Sequence, residues 1–137
     1  MGIRCGELMA LTPSDFLLET SELCINKSYQ RLRGEDVITK PKTRKSVRTI
    51  KVPAFLRDEM AEFIEMRDDV APDERLFGLT KHFLVHEMDR GCKASGVKWI
   101  RIHDLRHSHV NLLINMGFSA LDIAERVGHE AIDITYR

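Results

Sequence analysis

"HDLRHSHVNLLINMG" at His103–Gly117, followed at once by "SALDIAERVG" at Ser119–Gly128, carries most of the information about the fold. Each stretch has apolar residues at helical spacing and closes on a glycine, and Ser119 stands where the second needs an N-cap. Two short helices joined by a tight turn are therefore expected at the C-terminal end. In the first of them Leu105, His109, Leu112 and Met116 share a stripe, read here as the core-facing one, which makes His109 a core or rim histidine. His103 and Arg106 lie about 60° apart on another face, near the helix start, where unpaired backbone N–H groups attract anions.

Working back along the chain, "TKHFLVHEMDRGCKASG" from Thr80 begins with a capping threonine and ends on Gly96, which predicts a further helix. "PAFLRDEMAEFIEMR" opens with Pro53 and places Phe55, Leu56, Met60, Phe63 and Ile64 at helical spacing. Before it, "DVITK" and "SVRTIKVP" are two β-prone runs joined by the basic "PKTRK", a pattern that suggests a hairpin. "FLLETSELCINKSYQ" reads as extended chain, and "RCGELMAL" as a helix broken by "TPSD". The expected fold class is α+β, mainly α, with a small antiparallel β-sheet and a basic hairpin followed by a helical cluster.

The 137 residues form one domain with 43% hydrophobic content. Lys+Arg and Asp+Glu each number 21, so the net charge is zero and a uniformly polybasic binder is excluded. The basic residues are nevertheless clustered. Lys40, Lys42, Arg44, Lys45, Arg48 and Lys51 fall within twelve residues that hold no acid, an imbalance suited to a polyanion. Cys5, Cys24 and Cys92 are odd in number and lack metal-ligand spacing, which fits free thiols in a reducing cytoplasm. No apolar run approaches the length of a membrane span.

Three further features bear on chemistry. Arg4 and Glu7 are spaced for a local ion pair, read as exposed. His129 follows Gly128 in the turn after the last helix. His103 and His107 have the i, i+4 spacing of zinc ligands, and "HDLRH" resembles the H-E-x-x-H of zinc hydrolases. Against zinc stand the shorter Asp104, the fixed charge of Arg106 and the lack of a third ligand at a known spacing.

In chain order, "GIRCGEL", "PKTRKSVRTIKVP", "HDLRHSH" and "RVGHEAIDIT" resemble the catalytic domain of tyrosine recombinases of the phage integrase type, nearly from end to end. By position, the resemblance makes Arg4 and Arg106 the two active-site arginines, His103 the histidine of the HxxR box and His129 the later His/Trp position. Lys42 corresponds to the active-site lysine, with Lys40 and Lys45 close enough to compete for the role. Lys40, Arg44, Lys45 and Arg48 are then DNA-binding residues. The implied chemistry is a metal-free and cofactor-free transesterification of double-stranded DNA through a 3′-phosphotyrosyl intermediate, performed by a tetramer on DNA. Thr135 matches a threonine six residues after the GH histidine, and the nucleophilic tyrosine of the pattern falls nine residues after it, one past Arg137. Tyr136 is two residues short, about 200° around a helix from that position, and is read as a packing aromatic. On this pattern the chain is a catalytic domain trimmed at both ends. Alone it is expected to be inactive and monomeric or weakly associated. A non-catalytic DNA-binding module and a zinc hydrolase are the alternatives.

Overall fold

The structure, a computed structural model, describes residues 1–41 and 43–129. Lys42, Thr135 and Tyr136 lie outside the described residues. The order of elements is α1 (Cys5–Ala10), β1 (Phe16–Leu17), β2 (Glu22–Ile25), β3 (Ser28–Leu32), β4 (Glu35–Thr39), β5 (Arg48–Lys51), α2 (Ala54–Glu65), α3 (Lys81–Ser95), α4 (Ile102–Asn115) and α5 (Ala120–Val127).

The helices follow their local signals. Thr80 Oγ1 accepts the Phe83 N–H at the start of α3, and Ser119 Oγ accepts the Asp122 N–H at the start of α5. Gly96 and Gly128 close those helices in the left-handed conformation that glycine adopts without a Cβ penalty.

The strands depart from expectation. β4 and β5 do not form a hairpin around the basic stretch. β4 pairs with β3, and β5 pairs with β2, all antiparallel, so the basic residues span a crossing between two small sheets. The tight hairpin lies one turn earlier, at Arg33–Gly34. Both residues have positive φ (51° and 85°) in a two-residue loop between the paired Leu32 and Glu35, as the right-handed strand twist favours. Burial explains the partner choice. Ile50 of β5 sits beside Leu23, and with Ile25, Leu11 and Val52 they make the main apolar core. β4 has no fully buried residue and adds little to a core.

A second core lies between α4 and α5, formed by Val110, Leu113, Ile123 and Val127. It corrects the expected stripe of α4, since Leu105, Leu112 and Met116 are exposed and His109 is half-buried. Arg106, Val110 and Leu113 also share one face of that helix, and they face α5. The opposing Leu105 and Leu112 instead border a cleft of about 510 Å³ shared with Leu56, Met60 and Phe77. A third small cluster joins Met9 and Ala10 of α1 to Tyr29 of β3.

The approach of α1 to β3 depends on Gly6. A Cβ there would lie 2.5 Å from Ser28 Oγ and 2.9 Å from the Tyr29 carbonyl oxygen, and the latter is backbone that cannot swing aside. Gly6→Ala is expected to cost ~1–3 kcal/mol by overpacking and to lower the Tm by on the order of 5 °C, read by thermal denaturation. The loop before α3 is fastened nearby. The Arg75 guanidinium lies 3.7 Å from the Tyr29 ring centroid and donates to Met9 O, Phe77 O, Leu79 O and Asp36.

Candidate active site

The site forms where α5 ends. The last carbonyls of a helix lack intrahelical partners. Here the Gly128 and His129 N–H groups bend back to Glu125 O and Ala124 O, which leaves the carbonyls of Arg126, Val127 and Gly128. Each of these accepts from a different arginine: Arg126 O from Arg48 Nε (2.8 Å), Val127 O from Arg106 Nη2 (2.6 Å) and Gly128 O from Arg4 Nη2 (3.2 Å). The negative end of the helix dipole thus gathers three cations, from the residue that caps α1, from β5 and from α4.

One buried carboxylate sits among them. Glu7 is 3% exposed and receives Arg4 Nη1 at 3.0 Å, the Arg4 backbone N–H at 2.8 Å, and both terminal nitrogens of Arg48 at 3.0 Å. The Arg4–Glu7 pair is therefore present but not exposed on its acidic side. Burial alone would raise the Glu7 pKa, yet the hydrogen bonds and charges of Arg48 and Arg4 prevail and hold it below the ordinary carboxylate range.

Arg106 is 5% exposed and also donates to Gly2 O at 2.7 Å, so it ties α4 to the chain just before α1. Burial, with the charges of Arg4 and Arg48, pushes its pKa down to about 10, and it stays charged at neutral pH. His129 follows directly after the three carbonyls. Its pKa is pushed down to about 4 by burial and by the positive charges of Arg106, Arg4 and Arg48, so the imidazole is neutral at pH 7. His109, beside Arg126 Nε at 3.4 Å, is pushed down to about 4 chiefly by burial.

The structure thus brings Arg4, Arg106 and His129 together, although more than a hundred residues separate the first two. His103 is exposed one turn before Arg106 on α4, its ring centroid 4.9 Å from that of His107 in an edge-to-face arrangement, and its pKa is lowered by burial and by the charges of His107 and Arg106. Among the described residues no three His, Cys, Asp or Glu side chains are grouped to hold a metal ion. Lys40 and Arg44 are exposed beside a cleft that also includes Asn26 and Lys27, and Lys45 is exposed on the same crossing. Arg48, expected on the DNA-binding crossing with Lys40, Arg44 and Lys45, is set apart from them. Its side chain is 7% exposed, because the guanidinium turns inward to Glu7 and the end of α5. Glu7 and Arg48 were the pair hidden from sequence reasoning. Their spacing of 41 residues follows no helical or strand period, and only the order of motifs groups them.

The model of the phage integrase family matches residues 1–137. The chain belongs to the phage integrase family. It is 32% identical to the ICEBs1 integrase of Bacillus subtilis (strain 168), over 98% of this chain and 40% of that protein. It is 27% identical to the integrase of Mycobacterium phage D29, over 93% of this chain and 37% of that protein. The chain spans about two fifths of the length of these relatives. The structure of the Tn1549 transposon integrase in complex with circular intermediate DNA superposes with a TM-score of 0.84 at 23% identity, covering 98% of this chain and 50% of that one. The XerH site-specific recombinase bound to difH substrate gives a TM-score of 0.70 at 23% identity, covering 98% of this chain and 38% of that one. These similarities establish the fold of tyrosine recombinase catalytic domains. No helix among the described residues is long and apolar enough to cross a membrane.

Since the unfolded chain protonates histidine below about 6.5, it binds more protons than the folded protein between that value and the folded values of about 4 for His109 and His129. Stability therefore rises with pH across this window and is lost as the pH falls through it. Denaturation midpoints at pH 7 and pH 5 should show the drop, and it should shrink in His109→Gln.

Proposed function

We propose that the chain is the catalytic region of a site-specific DNA recombinase that breaks and rejoins strands by transesterification, without metal or organic cofactor. The observation that carries this reading is the convergence of Arg4 and Arg106 beside neutral His129, with three guanidinium groups gathered at the end of α5 and two of them, Arg4 and Arg48, paired to Glu7. Such a cluster has spare positive charge for a phosphodiester, and its donors are fixed before the substrate arrives.

In this mechanism a tyrosine oxygen attacks the scissile phosphorus, the P–O5′ bond breaks, and a 3′-phosphotyrosyl link forms with release of a 5′-hydroxyl. The bond energy is retained in the phosphodiester, so reversal by another 5′-hydroxyl rejoins strands with no added cofactor. Arg4 and Arg106 present guanidinium N–H groups to the non-bridging oxygens as charge builds. Lys42 donates the proton to the leaving 5′-oxygen, His103 accepts or orients the tyrosine proton, and neutral His129 donates a hydrogen bond to a phosphate oxygen. Lys40, Arg44 and Lys45 meet the DNA backbone on the exposed crossing. The working assembly is a cytoplasmic tetramer on DNA, and the attacking tyrosine is the residue nine after His129.

The test is a pool of duplexes with randomised arms and one nick near the centre, which traps a strand-transfer enzyme by losing the short 5′-hydroxyl fragment. The intact recombinase should give an adduct that survives denaturing electrophoresis and forms in the presence of EDTA. Absence of adduct, or its loss with EDTA, would overturn the reading. Mass spectrometry of the linked peptide reports the nucleophile, and DNA on Tyr136 would reassign it.

A further inference from the structure

We propose that Arg48 is a positioning residue of the strand-transfer site, holding Glu7 and the end of α5, and through them Arg4 and His129, without touching DNA. The inference rests on the recombinase reading above. Arg48 begins β5, opposite Ile25 of β2, so its backbone is fixed by the sheet that carries the main core. From there its side chain makes contacts in three directions: both oxygens of Glu7 (3.0 and 3.0 Å), the Arg126 carbonyl (2.8 Å) and the Ser46 carbonyl (3.0 Å). These use four of the five N–H groups that a guanidinium offers.

The neighbours are shaped around it. Gly128 has φ +71°, and a Cβ there would lie 2.8 Å from Arg48 Nη1 and 3.1 Å from its Cζ. The glycine before His129 is thus required by the turn and by the arginine packed on it. Ser46 closes the basic crossing, so the same guanidinium ties that crossing to the site.

The consequence for Arg4 is a matter of competition. Glu7 Oε1 is shared between Arg4 Nη1 and Arg48 Nη1, each at 3.0 Å. If Arg48 released the carboxylate, Arg4 would close onto it as a bidentate pair and leave Gly128 O, because a buried carboxylate cannot stay half satisfied. Arg48 keeps Glu7 occupied, which leaves Arg4 extended to the end of α5 next to His129. Lysine keeps the charge but has no planar fork and cannot span Glu7 and Arg126 O together.

The experiment compares wild type and Arg48→Lys in the intact recombinase, with a nicked duplex recovered from the adduct pool. Single-turnover adduct formation is followed at saturating protein, alongside duplex affinity, its salt dependence and the Tm. Misplacing the site without unfolding it should lower the rate constant on the order of 10²-fold, while affinity stays within about threefold, the signature of an interaction that matters only at the reacting centre. Weaker binding with a salt slope reduced by about one would make Arg48 a phosphate contact and overturn the proposal. A reduced reacting fraction and Tm with an unchanged rate constant would make the role purely structural and also overturn it. Failure of the wild type to form adduct removes the recombinase reading and this proposal together, whereas an active wild type with an equally fast Arg48→Lys removes this proposal alone.

Discussion

Arg106→Ala is expected to cause the largest loss of function of any single change in the described chain, and Arg106→Lys to show how that loss divides. Arg106 bridges Gly2 O and Val127 O from a nearly inaccessible position. Alanine removes both donors and opens a cavity. Each buried carbonyl left without a partner costs ~1–3 kcal/mol, so a total destabilisation of roughly 3–5 kcal/mol is expected from the carbonyls and the cavity together. Chemical denaturation measures it. The catalytic loss is separate. On the recombinase reading, the Arg106 guanidinium meets charge that grows on the phosphate in the transition state, and removal of one such preorganised donor costs on the order of 10²–10³ in rate. Lysine retains the charge and one hydrogen bond, so its stability loss should be smaller. Its adduct rate should still fall close to that of alanine, since a single ammonium cannot hold two carbonyls and orient toward a phosphate at once. Arg106→Lys that cleaves at the wild-type rate would show that charge alone suffices and that the fork is dispensable.

These expectations use residues whose legibility in the sequence was uneven, for physical reasons. The caps at Thr80 and Ser119 and the stops at Gly96 and Gly128 depend on atoms within four residues, so local pattern finds them. Strand pairing depends on which distant surface is left to bury. Runs on either side of the basic stretch looked like partners, yet Ile50 joins Leu23 and Ile25 in the core, and the only local sign of the true hairpin was the Arg33–Gly34 pair. In α4 two faces are apolar enough to be internal. The face with Val110 and Leu113 is chosen by the α5 residues Ile123 and Val127, and it carries Arg106 inward with it. For the site, Arg4, His103, Arg106 and His129 stood out through the order of motifs. The inward turn of Arg48 required a carboxylate from α1 and a carbonyl from α5, which no local reading supplies.

Glu7→Ala should be the most damaging change outside the arginines, because among the described residues it removes the carboxylate that sits between the gathered cations. Breaking a buried pair from one side costs ~3–5 kcal/mol, since the remaining charge stays desolvated and unpaired. Arg48, with its side chain 7% exposed, is left in that position, whereas Arg4, at 40%, can turn to water. Glu7→Gln keeps the shape and one acceptor oxygen, so it separates charge from packing and should be the milder of the two. Its pH dependence gives a second check. The folded Glu7 pKa is held below the ordinary value of about 4.3, so its contribution is present above that pH and disappears as the pH falls through the lower folded value. The histidine window, between about 4 and 6.5, lies mostly above this one. Wild type should therefore lose stability in two stages on acidification, and Glu7→Gln should retain the first while flattening the second. The variant should also gain more Tm than wild type from added inorganic phosphate, because three uncompensated guanidinium groups then attract the anion that one carboxylate had partly offset. Equal phosphate stabilisation of both proteins would show that the cluster is neutralised elsewhere, and that Glu7 serves packing more than charge.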